Sequence, residues 1–293
     1  MHGRKCADPV ILDLWHPIAS LAELPTGMRS RTVLLEERIG YGKAQDGVAS
    51  VWLESGSEDG GGRPLPAKAA YGYLWTTLGR DPAALFAIPE YDEIDRRKFN
   101  AATIGVNVSA PRAVENFLDL GHLPFVHSGI LGAEPHTEVK EYDVEVATER
   151  DEIRATRCLV FQPKASAHAT GGGDVEYSYR VPHPYCAVLY KSSAADPSRL
   201  DIVALLVQPV NQESIRAHFL TCRIDETSQE SAIKRFQQTI FGQDKPILEN
   251  QYPKKLPLDP RAETPIRSDK SAIAYRRWLS RKGITYGVIP AAA

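Results

Sequence analysis

His122 and His127 lie five residues apart and are the side chains best suited to chemistry in this chain of 293 residues. Neutral imidazoles are borderline donors that suit iron, zinc or copper. On an undistorted helix five residues rotate a side chain by about 140°, so both rings could reach one ion only if Pro124 distorts the helix. The chain has eight histidines, so spacing alone is weak evidence, and two structural histidines are the plain alternative.

Two polar residues precede this pair at intervals of three. They are Asp119, three residues before His122, and Asn116, three residues before Asp119. A metal-bound histidine usually donates its second ring N–H to a carboxylate or carbonyl oxygen, and Asp119 could accept it from a histidine of this or a neighbouring subunit. Alternatively, Asp119 is a solvated or capping carboxylate and Asn116 hydrogen-bonds the local backbone.

The elements that must position these residues predict an α+β fold. Residues 110–129 carry apolar side chains at helical spacing and predict a helix that Pro124 interrupts. Residues 139–224 hold strand-like runs separated by short turns, which favours an antiparallel sheet. Further helices are predicted over 228–243 and 270–282. The order of strands, helix, sheet and helix argues against alternating βαβ units.

The first seventy residues predict short strands followed by a loop. TVLLEERIGYG (32–42) and GVASVWLE (47–54) are β-rich and flank the turn signal AQDG (44–47). SGSEDGGGRPLPAK (55–68) is rich in Gly, Pro and Ser, so a loop or mobile linker without regular structure is predicted there.

Composition excludes several classes of protein. The net charge is −2, with 43% hydrophobic and 25% charged residues, which is ordinary for a globular protein and predicts neither a nucleic-acid nor an anionic membrane partner. No apolar run approaches the roughly 20 residues of a membrane span, and no signal peptide is recognised, so a cytoplasmic location is expected. None of the four cysteines belongs to a C-x-x-C or C-x-H pair, which argues against a zinc ribbon or an iron–sulfur site.

The spacing Asn116-x-x-Asp119-x-x-His122-x-x-x-x-His127 resembles the iron-binding signature of Rieske-type non-haem iron oxygenase α subunits. The likeness is greatest to the demethylase branch, which acts on aromatic methyl ethers and N-methyl groups, and it covers residues 71–283 and, more faintly, 15–42. That family takes a carboxylate ligand from a helix far downstream, where IFGQDKPILENQ places Asp244.

The resemblance implies a facial triad of His122, His127 and Asp244 that holds one Fe(2+), with open positions for O₂ and substrate. In the wider family the counterpart of Asp119 bridges a Rieske histidine to an iron-ligand histidine across a subunit boundary, so the resemblance implies a bridging role for Asp119 in electron entry. It also implies that Asn116 lies near the iron. A surface charge at a helix end is the alternative for Asp244. Other acids stand nearby: Asp225, Glu226, Glu230 and Glu249.

The family fold is a curved antiparallel sheet around a long helix, expected here in residues 71–293. Ordinary members also hold a [2Fe–2S] cluster through C-x-H and C-x-x-H, but residues 55–68 contain neither Cys nor His. Residues 1–70 are therefore expected to be a degenerate Rieske-like remnant without a cluster. Electrons must then come from NAD(P)H through a separate Rieske-containing reductase, and a homo-trimer or a hetero-oligomer with related subunits is expected.

The resemblance further implies oxidative demethylation, in which a methyl group is hydroxylated and leaves as formaldehyde. In this family a subunit without its own cluster removes the N7 methyl of methylxanthines, so 7-methylxanthine is the predicted substrate. A methoxylated aromatic acid is the alternative substrate. A zinc hydrolase using the same donor set and a non-catalytic scaffolding paralogue remain as other classes of function.

Overall fold

The computed structural model describes residues 5–55, 62–163, 172–193, 195–224 and 228–291. The α-helices in these ranges are α1 (Pro9–Leu12), α2 (Ala110–Leu118), α3 (Leu123–Val126), α4 (Glu230–Asn250) and α5 (Lys270–Arg281). The strands are β1 (His16–Ser20), β2 (Arg29–Leu34), β3 (Glu37–Lys43), β4 (Ala49–Glu54), β5 (Gly62–Leu65), β6 (Ala67–Ala70), β7 (Tyr73–Thr76), β8 (Arg97–Val106), β9 (Asp143–Ala147), β10 (Glu152–Gln162), β11 (Gly173–His183), β12 (Cys186–Ser192), β13 (Leu200–Asn211), β14 (Ser214–Arg223), β15 (Leu256–Pro257) and β16 (Val288–Ile289).

A seven-stranded sheet provides the surface on which the candidate site is built. Its order is β8-β14-β13-β12-β11-β10-β9 and every neighbouring pair is antiparallel. The antiparallel sheet predicted over 139–224 is confirmed, and β8 extends it at one edge. Because side chains alternate along a strand, Leu189 and Lys191 of β12 share one face, whereas Val188 and Tyr190 face a core that includes Trp75.

Helix α4 crosses the edge of this sheet and is longer than predicted. It runs for 21 residues through Gly242 and Pro246, although these two residues argue for an end near 243. Packing against β8 overrides that signal, since the Gln238 side chain donates to the Ala101 carbonyl at 2.9 Å and Lys245 donates to the Gly105 carbonyl at 2.8 Å. Asp244 therefore lies inside the helix and not after its end.

The helix predicted over 110–129 is two helices with a gap between them. Ser109 caps α2, which ends at Leu118 because the chain turns extended at Asp119 (ψ 127°). The prediction that Pro124 breaks a helix is wrong. Pro124 lies in the first turn of α3, where its missing N–H needs no partner. The break falls at residues 119–122 instead.

Two smaller sheets precede β8, with the orders β2-β3-β4-β5 and β1-β7-β6. TVLLEERIGYG is not one strand, because Leu35 and Glu36 adopt positive φ and turn the chain between β2 and β3. The loop prediction for 55–68 is also wrong in part: β5 and β6 lie there, and residues 56–61 lie outside the described ranges. Pro64 is tolerated because β5 is an edge strand. The expected boundary after residue 70 falls inside the β6–β7 hairpin and stays a prediction.

Helix α5 confirms the helix predicted over 270–282 and is tied to α2 by buried ion pairs. Arg276 of α5 donates to Glu115 of α2 at 2.6 Å, and Arg112 of α2 contacts Glu263 at 2.5 Å. Glu115 is 8% exposed. These pairs fix α2, whose end leads directly to the two histidines.

Candidate metal centre

The short helix α3 presents both histidines of the sequence motif. His122 lies immediately before α3 and His127 immediately after it. Asp119 stabilises the gap that precedes them, because its Oδ1 accepts the Gly121 N–H at 2.7 Å. With the continuous helix interrupted, the Nε2 atoms of the two rings lie 3.2 Å apart.

Asp244 reaches the same point from α4. Its Oδ1 lies 3.3 Å from His122 Nε2 and 3.2 Å from His127 Nε2. Asp244 and His127 are buried, and Asp244 Oδ1 makes no well-formed hydrogen bond within the described residues. The structure therefore brings together three ligand atoms, two from histidines five residues apart and one from Asp244, which lies 117 residues beyond His127 in the sequence.

The donor set and its spacing fit a transition-metal ion. Metal–nitrogen and metal–oxygen bonds of about 2.1 Å that meet near 90° place the donor atoms about 3 Å apart, close to the separations observed here. Two imidazoles and one carboxylate on one side of an ion leave the opposite side open. A buried carboxylate oxygen without a well-formed hydrogen bond in the described structure is the group that such an ion would satisfy.

Each histidine is oriented through its other ring nitrogen. His122 Nδ1 donates to Asp119 Oδ2 at 3.1 Å, and His127 Nδ1 donates to Gln243 Oε1 at 2.9 Å. These acceptors place the ring protons on Nδ1 and leave both Nε2 lone pairs available. Gln243 is a supporting residue that the sequence analysis did not identify; its position directly before Asp244 was the available signal.

Without a metal ion, a proton on His122 balances part of the negative charge of Asp119 and Asp244. Burial alone would lower the pKa of His122, but its hydrogen bond to Asp119 and the adjacent Asp244 carboxylate raise it to about 9. Burial raises the pKa of both carboxyls, yet the histidine rings beside them lower it below the ordinary range. A cation binding here would take the place of a proton.

Asn116 lies beside this centre but is not one of the three converging groups. It lines the same cavity as Asp119 and His122, and its carbonyl accepts the Asp119 N–H at 3.2 Å. Of the other acids, Glu249 pairs with Lys245 at 2.5 Å and Glu230 pairs with Lys234 at 2.7 Å. Asp225 and Glu226 lie outside the described residues.

A cavity of about 760 Å³, counting the space at its mouth, extends from the three ligand atoms between the sheet and helices α2 and α4. Its walls are mainly apolar and aromatic, which suits a flat organic molecule. The lining includes Leu189, Lys191, Val203, Phe219, Gln237 and Phe241. A second cavity opens on the other side of Asn116, Asp119 and His122.

Residues 106–283 match the family described as vanillate O-demethylase oxygenase C-terminal domain. A probable methylxanthine N7-demethylase of Pseudomonas sp. (strain TJI-51) is 46% identical over 277 residues, which cover 94% of this chain and 96% of that protein. The methylxanthine N3-demethylase of Pseudomonas putida is 25% identical over 215 residues, which cover 71% of this chain and 57% of that protein.

Solved structures share the fold at low sequence identity. The Pseudomonas putida CBB5 protein NdmA with caffeine superposes with a TM-score of 0.73 at 18% identity, covering 94% of this chain and 93% of that chain. Dicamba monooxygenase bound to 3,6-dichlorosalicylic acid gives a TM-score of 0.73 at 15% identity, covering 92% and 97%. In the described part of the chain no helix has the length and apolar character needed to cross a membrane. The family match, the extensive identity and the fold agree: this chain belongs to the Rieske-type non-haem iron oxygenases, within the branch that carries the vanillate O-demethylase oxygenase C-terminal domain.

Proposed function

We propose that this chain is the catalytic subunit of an N-demethylase that oxidises the N7 methyl group of a methylxanthine such as 7-methylxanthine. The overall reaction consumes O₂, two electrons and two protons, and yields water and an N-hydroxymethyl product. That product loses formaldehyde to leave the free N–H. The alternative substrate, a methoxylated aromatic acid, has weaker support: the family description names vanillate O-demethylase, and dicamba monooxygenase shares the fold at 15% identity, whereas the relative with 46% identity is a probable methylxanthine N7-demethylase.

One observation carries the proposal: three converging ligand atoms lie at the end of an apolar cavity in a chain that is 46% identical, over nearly its whole length, to a probable methylxanthine N7-demethylase. Identity of this extent supports the same reaction class. The cavity supports a flat, mainly apolar substrate.

His122, His127 and Asp244 would hold Fe(2+). When bound in such a site, ferrous iron supplies the activation of O₂ with electrons from outside. The protein's own contribution is positional. Asp119 and Gln243 keep both rings turned towards the ion. Phe219 and Phe241 both line the cavity and contact each other with ring centres 4.5 Å apart, which keeps that part of the cavity apolar.

The sequence also bears on the source of electrons. Because the chain carries no cysteine–histidine cluster motif, we propose that a separate Rieske-containing reductase delivers electrons from NAD(P)H. We also propose that residues 1–70 are a cluster-less Rieske-like remnant and that residues 71–293 form the catalytic domain, with the sheet curved around a long helix. The working assembly would be a homo-trimer or a hetero-oligomer with related oxygenase subunits.

The test is to load the full chain with Fe(II) and to measure formaldehyde from 7-methylxanthine and from a methoxybenzoate, with NADH and with or without a Rieske-containing reductase. We expect formaldehyde from 7-methylxanthine only when the reductase is present. Turnover with NADH alone would contradict the electron route, and formaldehyde from the methoxybenzoate alone would contradict the substrate.

The ligand set has a matched pair of variants on α4. Asp244→Ala should abolish iron retention, because the carboxylate is one of three ligands. Glu249→Gln should retain iron, because Glu249 pairs with Lys245 on the same helix. Full iron retention by Asp244→Ala, measured by metal analysis after desalting, would move the third ligand elsewhere.

A further inference from the structure

A lysine lies on the apolar wall of the proposed substrate cavity. Lys191 of β12 shares the inner face of the sheet with Leu189, and both line the cavity. Burial and the nearby Arg223 lower the pKa of Lys191 to about 8, against the opposing effect of Asp201.

The register of the sheet locates Lys191 along the cavity. Lys191 pairs with Asp201 of the next strand, Asp201 lies 3.4 Å from Arg223, and Arg223 pairs with Arg97 of β8. These four residues therefore form one row across the sheet. The row lies at the N-terminal end of β8, since Arg97 is the first residue of that strand.

Helix α4 shows which end of the cavity this is. Lys234 Nζ lies 5.7 Å from the Phe99 ring near the start of β8, whereas Lys245 donates to Gly105 near the end of that strand. Asp244, next to Lys245, therefore lies at the opposite end of the sheet from the row that contains Lys191. The ligand atoms and Lys191 stand at opposite ends of one cavity.

An amide accompanies the lysine towards that remote end. Gln237 also lines the cavity and precedes Asp244 by seven residues, or about 10 Å along the helix axis. The cavity wall between the two ends includes Leu189, Val203 and Phe219. The arrangement fits a flat molecule with its apolar methyl at the metal end and hydrogen-bonding groups at the other.

We propose that Lys191 is a substrate-positioning residue that binds a carbonyl oxygen on the substrate edge remote from the methyl group to be removed. The inference rests on the proposed function and specifies its substrate class: methylated heterocycles with an oxo group opposite the methyl. In 7-methylxanthine the C2 carbonyl occupies that place. A partly desolvated ammonium makes a strong hydrogen bond to such an oxygen.

The test compares two ligands and several variants of the full chain. Binding of 7-methylxanthine and of 7-methylpurine, which lacks both carbonyls, is measured by calorimetry with Fe(II)-loaded protein under anaerobic conditions. Lys191→Met should weaken 7-methylxanthine binding by about 10- to 100-fold, the effect of losing a hydrogen bond from a charged group. It should change 7-methylpurine binding by less than about 3-fold, and Lys191→Arg should recover part of the loss.

The control is Lys140→Met, since Lys140 is half-exposed and pairs with Asp174; it should leave both affinities unchanged. If Lys191→Met does not fold, Lys191→Gln serves in the same comparison. Equal weakening for both ligands, or for neither, would overturn the role of Lys191. If the wild-type chain with its reductase forms no formaldehyde from 7-methylxanthine, the proposed function itself fails, and that result is separate from any difference between variants.

Discussion

The two histidines of the centre differ in the group that orients them: a carboxylate holds His122 and a neutral amide holds His127. A carboxylate raises the basicity of the ring, and an amide mainly fixes its orientation. The pKa of His122 is accordingly raised. The two outer contacts should therefore contribute differently to metal binding.

Gln243→Leu should weaken Fe(II) binding by about 10- to 100-fold, because His127 loses the acceptor that fixes its tautomer and ring orientation. Competition with a chelator of known affinity measures the change. Gln243→Glu keeps an acceptor oxygen at the same position and should bind iron at least as well as the leucine variant. Wild-type affinity in Gln243→Leu would mean that this contact has no role in the centre.

The affinity for metal should rise with pH. In the metal-free protein the pKa of His122 is about 9, against an ordinary value of 6.5, so its protonation stabilises the fold fully below about 6.5 and this contribution is lost as the pH rises through about 9. A metal ion must displace that proton, so affinity should increase by up to about tenfold per pH unit between these values. Titrations at several pH values measure it.

Asp119→Asn provides the control for this pH dependence. Removing the carboxylate lowers the pKa of His122 towards its ordinary value, so the slope above pH 7 should flatten. A wild-type affinity that does not change with pH would contradict the assignment of the proton to His122.

Two of the proposed ligands could be predicted from residue types and spacing and the third from the family resemblance, but their supporting contacts could not. His122 and His127 stand out as a pair with Asp119 at a regular interval, and Asp244 follows from the family pattern. Gln243 stands next to Asp244 in the sequence, but a glutamine on a helix is usually exposed, so its contact with His127 could not be inferred from that position. Only the rotation of α4 against α3 shows that its amide meets His127.

At the scale of elements, the centre depends on a four-residue helix between two histidines. Gly132 limits where that helix can lie: a Cβ there would come within 2.4 Å of Pro124 Cα. Backbone atoms cannot yield as a flexible side chain can. The close approach of Gly132 to Pro124 therefore fixes α3 and both rings.

Gly132→Ala should displace α3, lower the melting temperature by several degrees and weaken Fe(II) binding at least tenfold. Gly242→Ala is the matched control, because a Cβ at this helical position meets nothing within 4 Å. Alanine in place of glycine in a helix should instead stabilise the protein by up to about 1 kcal/mol. Calorimetry and iron binding compare the two, and equal behaviour would contradict the role given to Gly132.

The elements themselves were largely predictable from periodicity, but their ends were not. The antiparallel sheet, α2 and α5 follow from apolar spacing. The end of α4 was missed because Gly242 and Pro246 are helix-ending residues, and the packing of α4 on β8 outweighs them. The break before His122 was assigned to Pro124, whereas the extended backbone at Asp119 causes it.

At the scale of the whole molecule, buried ion pairs join helices that lie far apart in sequence. Glu115→Gln should lower the free energy of unfolding by about 3 kcal/mol, because Arg276 and Arg112 would remain buried with an incomplete partner. Chemical denaturation measures it. Asp174→Asn, in the exposed pair with Lys140, should change stability by less than about 1 kcal/mol. A loss no larger than this in Glu115→Gln would show that the network contributes little.

Asn116, Asp119 and His122 form the wall shared by two cavities, one of which contains the proposed substrate position and the other of which opens beside α5. A redox protein on the second side and a methylxanthine on the first would not compete for space. Both could remain bound through a complete catalytic cycle, with only the side chains of Asp119 and His122 between the electron donor and the substrate. Steady-state rates measured against both should then give intersecting reciprocal plots, the pattern of a ternary complex, and not the parallel lines of alternating occupancy.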